Sequence, residues 1–318
     1  MARSVASKMS WDKYVLRPIQ GAPPVVLPTF IYGTAWKKDH TAELVYQALQ
    51  SGFRAMDTAA QPKHYREDLV GEGIRRAIRD GTVRREDLHV QTKFTSIHGQ
   101  NPDNMPYDPN DSVTQQVHAS VRSSFRHLRP SEEADSAEEA YIDMLILHSP
   151  LSTMEQTLEA WLAFETYVPH RIRNLGISNC TLPVLRELSS LVSVPPAVVQ
   201  NRFYGGTQFD VPLRSFCRAH QIIYQSFWTL SANPELLRSE VVQLLVSHAG
   251  IGPAAALYSL VLGLGKTTVL NGTTKRNHME GDLAALRTVE TFVEGHPEMW
   301  QRMVEDFQGL TGDHVEMA

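Results

Sequence analysis

The amino-acid sequence predicts an α/β protein whose single domain is a closed (β/α)8 barrel, the TIM-barrel fold. Apolar runs rich in β-branched side chains alternate about eight times with stretches of helical periodicity. Such alternation is typical of parallel strands joined by helical crossovers, and 318 residues suit one closed barrel. The alternative is an open doubly wound sheet. No GxGxxG motif follows the first strand, which counts against a nucleotide-binding domain of that type.

The apolar runs assign the eight strands in chain order. They read VVLPTFIYG, FRAMDTA, LHVQTKF, YIDMLILHS, IRNLGISN, PAVVQNRFY, IIYQSFWTL and KTTVLNGT. The predicted helices read HTAELVYQALQSG, EDLVGEGIRRAIRDG, DSVTQQVHASVRSSFRHLR, STMEQTLEAWLAFETYV, TLPVLRELSSLV, VPLRSFCRAHQ, PELLRSEVVQLLVSHAG, PAAALYSLVLGLG and NHMEGDLAALRTVETFVEG. Gly52 should end the first helix, and Asp111 or Ser112 should cap the third. Ser152 and Glu155 have the spacing of a capping box at the fourth.

Two polar segments interrupt this alternation. Residues 97–111, rich in Pro, Asn and Asp, follow the third strand and so leave the face of the barrel where active sites are built. They are a candidate substrate loop. Residues 129–140 are acidic and precede the fourth strand, which places them on the opposite face. We interpret this second segment as a solvated insertion without an assigned function.

The composition limits the class of partner. The net charge of −5 gives no indication of nucleic acid or an anionic membrane as a partner. The two cysteines, Cys180 and Cys217, form no CxxC pair, and the histidines show no HxH or HExxH spacing, so no disulfide framework or metal site is expected. No run of 18 apolar residues is present, and the first residues lack an apolar signal core. These observations predict a cytoplasmic protein.

Four proton-handling side chains follow the predicted strands. Asp57 ends the second strand, and Tyr65 lies one loop further on. Lys93 ends the third strand and His148 the fourth. Because the carboxyl ends of parallel strands meet on one face of a barrel, we expect these four side chains to form an active site.

The motifs around these residues resemble those of the aldo-keto reductase superfamily between Leu27 and Asp282. Six segments match in family order: GFRAMDTA with a following Tyr and LVGEGI, QTKF, YIDMLILHSP, IRNLGISN, VVQNRF and VLNGTT. The resemblance implies a (β/α)8 barrel that binds a nicotinamide cofactor without a Rossmann fold. It also implies reduction of aldehydes or ketones with NADPH. The family tetrad of Asp, Tyr, Lys and His falls on Asp57, Tyr65, Lys93 and His148.

The resemblance implies a role for each member of the tetrad. Tyr65 would donate the proton to the developing alkoxide. Lys93 would lower the pKa of the phenol, and Asp57 would keep the lysine charged and in place. His148 would donate a hydrogen bond to the carbonyl oxygen and orient the substrate.

The loop between Asp57 and Tyr65 departs from the family pattern. Tyr65 follows Asp57 by eight residues, whereas the usual family spacing is five. The extra residues 62–64 must therefore bulge outward for Tyr65 to reach its place. This makes Lys63 and His64 candidate substrate contacts, with His64 a rival acid, and Trp36 is expected at the substrate mouth.

The cofactor positions also follow from the resemblance. Ser178, Asn179 and Gln200 match the clamp on the nicotinamide carboxamide, and Phe227 matches the aromatic stacked on the ring. Trp228 stands where a small serine is usual. The remaining cofactor candidates are Gly33, Thr34 and Asp57 under the cofactor, Leu230 on the phosphate side, and Thr273, Lys275, Arg276, His278 and Asp282 after the eighth strand.

The site for the 2′-phosphate of NADPH matches least well. The family commonly has Lys-Ser, then Arg and Asn, whereas this chain has Gly272-Thr273, His278 and Asp282. The bidentate arginine is missing, and Lys275 and Arg276 are the candidates to replace it. We expect NADPH in preference to NADH.

The sequence therefore predicts a carbonyl reductase that acts on a small molecule as a monomer or weak homodimer. Two alternatives remain open at this point. One is a non-redox dehydratase, isomerase or cyclase that uses the same acid and histidine without hydride transfer. The other is a cofactor-binding regulatory subunit.

Overall fold

The fold is that of a computed structural model, which describes residues 11–133 and 136–313. Within these residues, eight parallel strands close into a barrel. Each strand pairs with its neighbours in chain order, and the last pairs with the first. The barrel strands are β3 (Phe30–Gly33), β4 (Ala55–Asp57), β5 (His89–Phe94), β6 (Met144–Leu147), β7 (Leu175–Ser178), β8 (Val198–Arg202), β9 (Ile223–Phe227) and β10 (Thr267–Asn271).

Helices follow the barrel strands and surround them. The closed barrel confirms the predicted fold class and excludes the open doubly wound sheet. The helices are α1 (Thr41–Ser51), α2 (Glu67–Arg79), α3 (Val113–His127), α4 (Ser136–Glu139), α5 (Met154–Glu165), α6 (Leu182–Leu191), α7 (Val211–Ala219), α8 (Pro234–Leu237), α9 (Glu240–Ala249), α10 (Pro253–Gly263), α11 (Arg276–Gly295) and α12 (Pro297–Thr311).

The segment predicted as one first strand is two strands with different partners. Val26–Pro28 (β2) pairs antiparallel with Lys13–Val15 (β1), and only Phe30–Gly33 enters the barrel. Thr29 separates the two strands, and its hydroxyl donates to the Trp11 carbonyl at 2.7 Å. Leu16, Val25 and Leu27 of the hairpin belong to the same buried cluster as residues from the barrel strands, such as Ile31 and Ala55. The hairpin therefore covers the barrel interior at the end opposite the predicted site.

The helix ends agree with the sequence at some positions and differ at others. Gly52 ends α1 with φ 111°, as predicted, and Ser112 caps α3 by accepting from the Gln115 amide. The capping box predicted for Ser152 and Glu155 is wrong by one residue, because Thr153 accepts from the Gln156 amide and α5 begins at Met154.

Two helical features differ from the prediction. PELLRSEVVQLLVSHAG forms two helices, α8 and α9, which are separated at Arg238 and Ser239. Helix α12 was not predicted, although Trp300, Met303 and Phe307 are all buried on it. Their spacing of three and four residues is the signal that would have indicated this helix.

The two polar segments make specific contacts. On the active-site face, Gln100 donates to the carbonyls of Ala60 at 2.9 Å and Thr95 at 3.2 Å, which holds the loop 97–111 against the barrel. On the other face, Glu132 accepts from Arg75 at 2.6 Å. Among the described residues no single helix is long and apolar enough to cross a membrane. Helices α9 and α10, which are bent by 107° relative to each other, together have the length and composition of a membrane span, and the match is on those two criteria only.

Candidate active site

A buried ion pair lies at the centre of the predicted site. Lys93 Nζ donates to Asp57 Oδ1 and Oδ2, both at 2.7 Å, and to the Thr58 carbonyl at 2.9 Å. Asp57 and Lys93 are adjacent because β4 pairs with β5 and both side chains point into the barrel. These three bonds use all three N–H donors of the lysine. No N–H group of the buried lysine is therefore left without an acceptor, as the burial of a pair of charges requires.

A layer of glutamine side chains supports the aspartate. Asp57 Oδ1 accepts from Gln91 at 2.6 Å and from Gln200 at 2.9 Å, and both glutamines also donate to Gln225 Oε1. The sequence analysis did not predict Gln91 and Gln225. They lie two residues before Lys93 and Phe227, on the same side of their strands, so inward polar periodicity is the signal that would have found them.

The structure places Tyr65 beside the pair despite the longer loop. Residues 62–64 form a turn in which Pro62 and Lys63 are exposed, and the Tyr65 amide donates to the Gln61 carbonyl at 3.0 Å. The Tyr65 ring lies with its centroid 5.1 Å from Lys93 Nζ and 6.1 Å from the His148 ring centroid. The insertion therefore leaves the phenol next to the other three members of the tetrad.

His64 occupies the cleft mouth with Trp36. Their ring centroids are 3.8 Å apart, and the Trp36 amide donates to the His64 carbonyl at 2.8 Å. Burial lowers the pKa of His64, and the charge of Lys63 contributes. The indole is 65% exposed, and both residues line the cleft described below.

The protonation of Tyr65 differs from the expectation. Burial raises the pKa of the phenol, and the charge of Asp57 raises it further. Lys93 directs its three N–H groups to Asp57 and Thr58 and not to the phenol. The pKa of Tyr65 is therefore raised overall, opposite to the expected lowering. Tyr65 is held as a neutral phenol that retains its proton.

His148 is neutral in this environment. Burial, with a contribution from the charge of Lys93, lowers the pKa of His148 to about 3. Its Nδ1 lies 2.6 Å from Thr95 Oγ1, and its backbone amide donates to the Phe94 carbonyl at 2.9 Å. No hydrogen bond occupies Nε2 among the described residues, so this nitrogen is left for a ligand.

A cleft of about 1240 Å³ runs from this centre across the carboxyl ends of the strands. Five candidates do not line it: Thr34, Lys63, Lys93, Lys275 and Arg276. The candidates that line it are Gly33, Trp36, Asp57, His64, Tyr65, His148, Ser178, Asn179, Gln200, Phe227, Trp228, Leu230, Thr273, His278 and Asp282.

The amides near the tetrad keep acceptors for a ligand. The Gln200 amide nitrogen donates to Asp57 and Gln225, and the Asn179 nitrogen donates to the His148 carbonyl at 2.8 Å. Ser178 Oγ donates to the Gln200 carbonyl at 2.6 Å. The side-chain oxygens of Gln200 and Asn179 are thus the atoms that can accept hydrogen bonds from a carboxamide NH2.

Three residues that line the cleft have a left-handed backbone conformation. Trp36, Asn179 and Trp228 all have positive φ, at 64°, 52° and 59°. Such conformations are costly for bulky residues and are found at functional sites. Trp228 is 51% exposed and lies under the Arg202 guanidinium, which is 4.7 Å from the indole centroid. The sequence analysis did not predict Arg202, which also lines the cleft.

The distal end of the cleft consists of Thr273, Asn277, His278 and Asp282. Asp282 accepts from Asn271 at 2.7 Å, and burial raises the pKa of its carboxyl. Arg276 pairs with Glu280 at 2.8 Å instead of facing the cleft. The described residues of this distal end therefore include no lysine or arginine.

Lys37 is a further residue that the sequence analysis missed. It is buried, and its Nζ donates to the Gly272 carbonyl at 2.9 Å, which ties the loop after β3 to the loop after β10. Burial lowers the pKa of Lys37 to about 8. A lysine in the loop after the predicted first strand was the available signal.

Among the described residues no group of three or more His, Cys, Asp or Glu side chains could hold a metal ion. Cys180 and Cys217 are both free and buried, and burial raises the pKa of each thiol.

The sequence of this chain is similar to those of known proteins. The profile of the Aldo/keto reductase family matches residues 29–294. An uncharacterized oxidoreductase of Schizosaccharomyces pombe is 27% identical over 262 residues, covering 81% of this chain and 82% of that protein. Methylglyoxal reductase DkgB of Escherichia coli O157:H7 is 25% identical over 264 residues, covering 82% and 88%.

Solved structures show the same fold. An aldo/keto reductase from Brucella melitensis superposes with a TM-score of 0.67 at 20% identity, covering 86% of this chain and 92% of that one. The Bombyx mori aldo-keto reductase AKR2E5, solved in complex with NADPH, gives a TM-score of 0.66 at 19% identity, covering 90% and 88%. With the family profile extending over most of the barrel, this chain belongs to the aldo/keto reductase family.

Proposed function

We propose that this protein reduces an aldehyde or ketone to an alcohol, with Tyr65 as the proton donor. The observation that carries the proposal is the convergence of Tyr65, His148 and the Lys93–Asp57 pair at one end of the large cleft. Family membership supports the same reaction. Methylglyoxal reductase and D-xylose reductase are named among its relatives, and both names describe carbonyl reduction.

The residues present fit a nicotinamide dinucleotide. The cleft volume of about 1240 Å³ is large enough for an extended ligand. Gln200 and Asn179 retain acceptor oxygens, and Phe227 offers a half-buried ring face at the end of β9. When bound there, a reduced nicotinamide supplies the hydride.

The protein's own contribution is to supply the proton and stabilise charge on the substrate oxygen. The Tyr65 phenol keeps its proton in the resting site because burial disfavours the phenolate. An alkoxide is a stronger base than a phenolate, so proton transfer from Tyr65 to the reduced carbonyl is downhill despite the raised pKa. Neutral His148 can donate through Nε2 to the same oxygen. The nearby Lys93 ammonium opposes the charge left on the tyrosine.

We propose NADPH as the preferred cofactor, with a small advantage over NADH. Structural relatives are described with NADP and NADPH, and the Thr273 hydroxyl and His278 imidazole can contact a phosphate. The absence of lysine and arginine from the described residues of the distal end predicts weak discrimination. Titration of both cofactors by fluorescence quenching tests this, and a dissociation constant clearly lower for NADH would contradict it.

A second cavity lies beside His148. This side cavity, about 310 Å³, is lined in part by His98 and Gly99 of the loop 97–111. We therefore propose that this loop contacts the substrate, together with Trp36 and His64 at the cleft mouth. A cytoplasmic location, and a monomer or weak homodimer, complete the proposal. Sedimentation velocity at several protein concentrations checks the oligomeric state.

The test of the reaction is the loss of reduced-nicotinamide absorbance with a panel of aldehydes and ketones. Turnover that depends on both the carbonyl and the cofactor is expected. Chemical conversion of a substrate without cofactor would favour the non-redox alternative. Cofactor binding with no turnover across the panel would favour the regulatory alternative.

A further inference from the structure

The side chain of Thr95 contacts the histidine of the active site. Thr95 directly follows β5, is 4% exposed, and places Oγ1 2.6 Å from His148 Nδ1. No other hydrogen bond is made by this hydroxyl among the described residues. Nδ1 likewise has Thr95 as its one hydrogen-bond partner there, so each atom depends on the other.

The direction of this hydrogen bond decides what His148 can do. A neutral imidazole carries one proton, on Nδ1 or on Nε2. With the proton on Nδ1, Nε2 is a bare acceptor that repels a carbonyl oxygen. With the proton on Nε2, the ring can donate to that oxygen, and Nδ1 then requires a donor of its own.

The surroundings favour Thr95 as the donor. If Nδ1–H donated to Oγ1, the buried threonine proton would have no acceptor among the described residues, which is unfavourable. If the threonine donates instead, both the hydroxyl proton and Nδ1 are satisfied, and Nε2–H remains for a ligand. We propose that Thr95 is a positioning residue that donates to His148 Nδ1 and thereby fixes the tautomer that hydrogen-bonds the substrate carbonyl.

The loop 97–111 fixes the orientation of Thr95. The Thr95 carbonyl accepts from Tyr107 Oη at 2.6 Å and from Gln100 Nε2 at 3.2 Å. Gly99 packs so closely that a Cβ there would lie 2.6 Å from the Thr95 methyl group. The methyl group therefore faces the loop and the hydroxyl faces His148. This gives the loop an indirect role in the chemistry, through Thr95.

The direct test compares Thr95→Val with Thr95→Ser. Valine keeps the shape of threonine and removes the hydroxyl, whereas serine keeps the donor. Thr95→Val should lower kcat/KM for carbonyl reduction by about 10- to 100-fold, as expected for a group that orients a histidine, with NADPH affinity unchanged. Thr95→Ser should recover most of that loss. Equal activity of Thr95→Val and the wild type would overturn the proposal, as would an equal loss in both variants.

A double-mutant cycle separates this role from a general structural effect. In a His148→Ala background, Thr95→Val should cause little further loss, because its effect passes through the imidazole. A full additional loss there would show that Thr95 acts by another route.

The inference rests on the proposed function, so a second readout does not need turnover. In ¹⁵N-histidine-labelled protein, the His148 signals, assigned with the His148→Ala variant, should report Nε2–H in the wild type. They should shift toward Nδ1–H in Thr95→Val. If His148 of the wild type carries its proton on Nδ1, the proposed role of Thr95 is contradicted even if the protein reduces carbonyls. An enzyme without reductase activity that has the Nε2–H tautomer would instead contradict the proposed function alone.

Discussion

At the scale of single residues, the site is governed by what each buried charge must have around it. Asp57 accepts from Lys93, Gln91 and Gln200, and each of these groups lies inside the barrel. Taking two charges out of water is costly, and the cost is offset only when every donor and acceptor is used. This explains why all three N–H groups of the lysine are directed to Asp57 and Thr58.

Removal of Lys93 should therefore destabilise the fold more than removal of both charges. Lys93→Met leaves Asp57 without its cation and should lower the free energy of unfolding by about 3–5 kcal/mol. The double variant Asp57→Asn/Lys93→Met should recover part of this loss. Urea denaturation of the cofactor-free protein measures both, and a double variant less stable than the single one would refute the explanation.

The depressed pKa of His148, about 3, predicts a specific acid sensitivity. Between the ordinary histidine value of about 6.5 and this lower value, the unfolded chain binds a proton that folded His148 does not. Stability from this residue is therefore present above about pH 6.5 and falls as the pH decreases, by at most about 1.4 kcal/mol per pH unit. His148→Gln should lose this part of the dependence. The measurement is the free energy of unfolding of wild type and variant as a function of pH. An equally steep decrease in both proteins at mildly acidic pH would rule out this contribution from His148.

Residue-level prediction from sequence succeeds where strand position determines the neighbours. Asp57 ends β4, and Lys93 lies one residue before the end of the neighbouring β5, so their contact follows from the barrel topology. The Thr95–His148 hydrogen bond depends on a rotamer and on packing against the loop 97–111, which periodicity does not encode. The direction of the Tyr65 pKa shift likewise depends on how deeply the phenol is buried.

At the scale of elements, close packing between α2 and α3 gives a sharp prediction. A Cβ on Gly71 would lie 1.8 Å from the His127 carbonyl oxygen, so Gly71→Ala should force the helices apart and cost about 1–3 kcal/mol or more. Gly309 of α12 has nothing within 4 Å of its Cβ position. Gly309→Ala should instead raise the free energy of unfolding by about 0.5–1 kcal/mol, because alanine has a higher helix propensity than glycine. Thermal unfolding of the two variants measures both effects. A Gly71→Ala variant as stable as the wild type would contradict the close packing of α2 against α3.

Elements were predictable where local signals agree with their tertiary partners. The alternation of strands and helices was sufficient for the barrel, and Gly52 and Ser112 marked real helix ends. The β1–β2 hairpin was not predictable in the same way. VVLPTFIYG reads as one continuous strand, and only its two different partners, β1 and β10, divide it.

At the scale of the whole molecule, the cleft combines a tetrad at one end with a weakly basic distal end. His278 faces the cleft there, beside the Asp282 carboxyl. His278→Arg should supply a guanidinium fork for a 2′-phosphate and lower the NADPH dissociation constant by about tenfold. The NADH value should barely change. Equal effects on both cofactors would show that the distal end does not contact the 2′ position.

The central claim is that hydride reaches the substrate carbon and that Tyr65 supplies the accompanying proton. The most direct measurement follows deuterium from NADPH labelled at the transferring carbon into the alcohol product by mass spectrometry, in the wild type and in Tyr65→Phe. The wild type should transfer one deuterium per product. Tyr65→Phe should form almost no product while it binds NADPH normally. Unlabelled product from the wild type, or labelled product formed by Tyr65→Phe at the wild-type rate, would contradict the account.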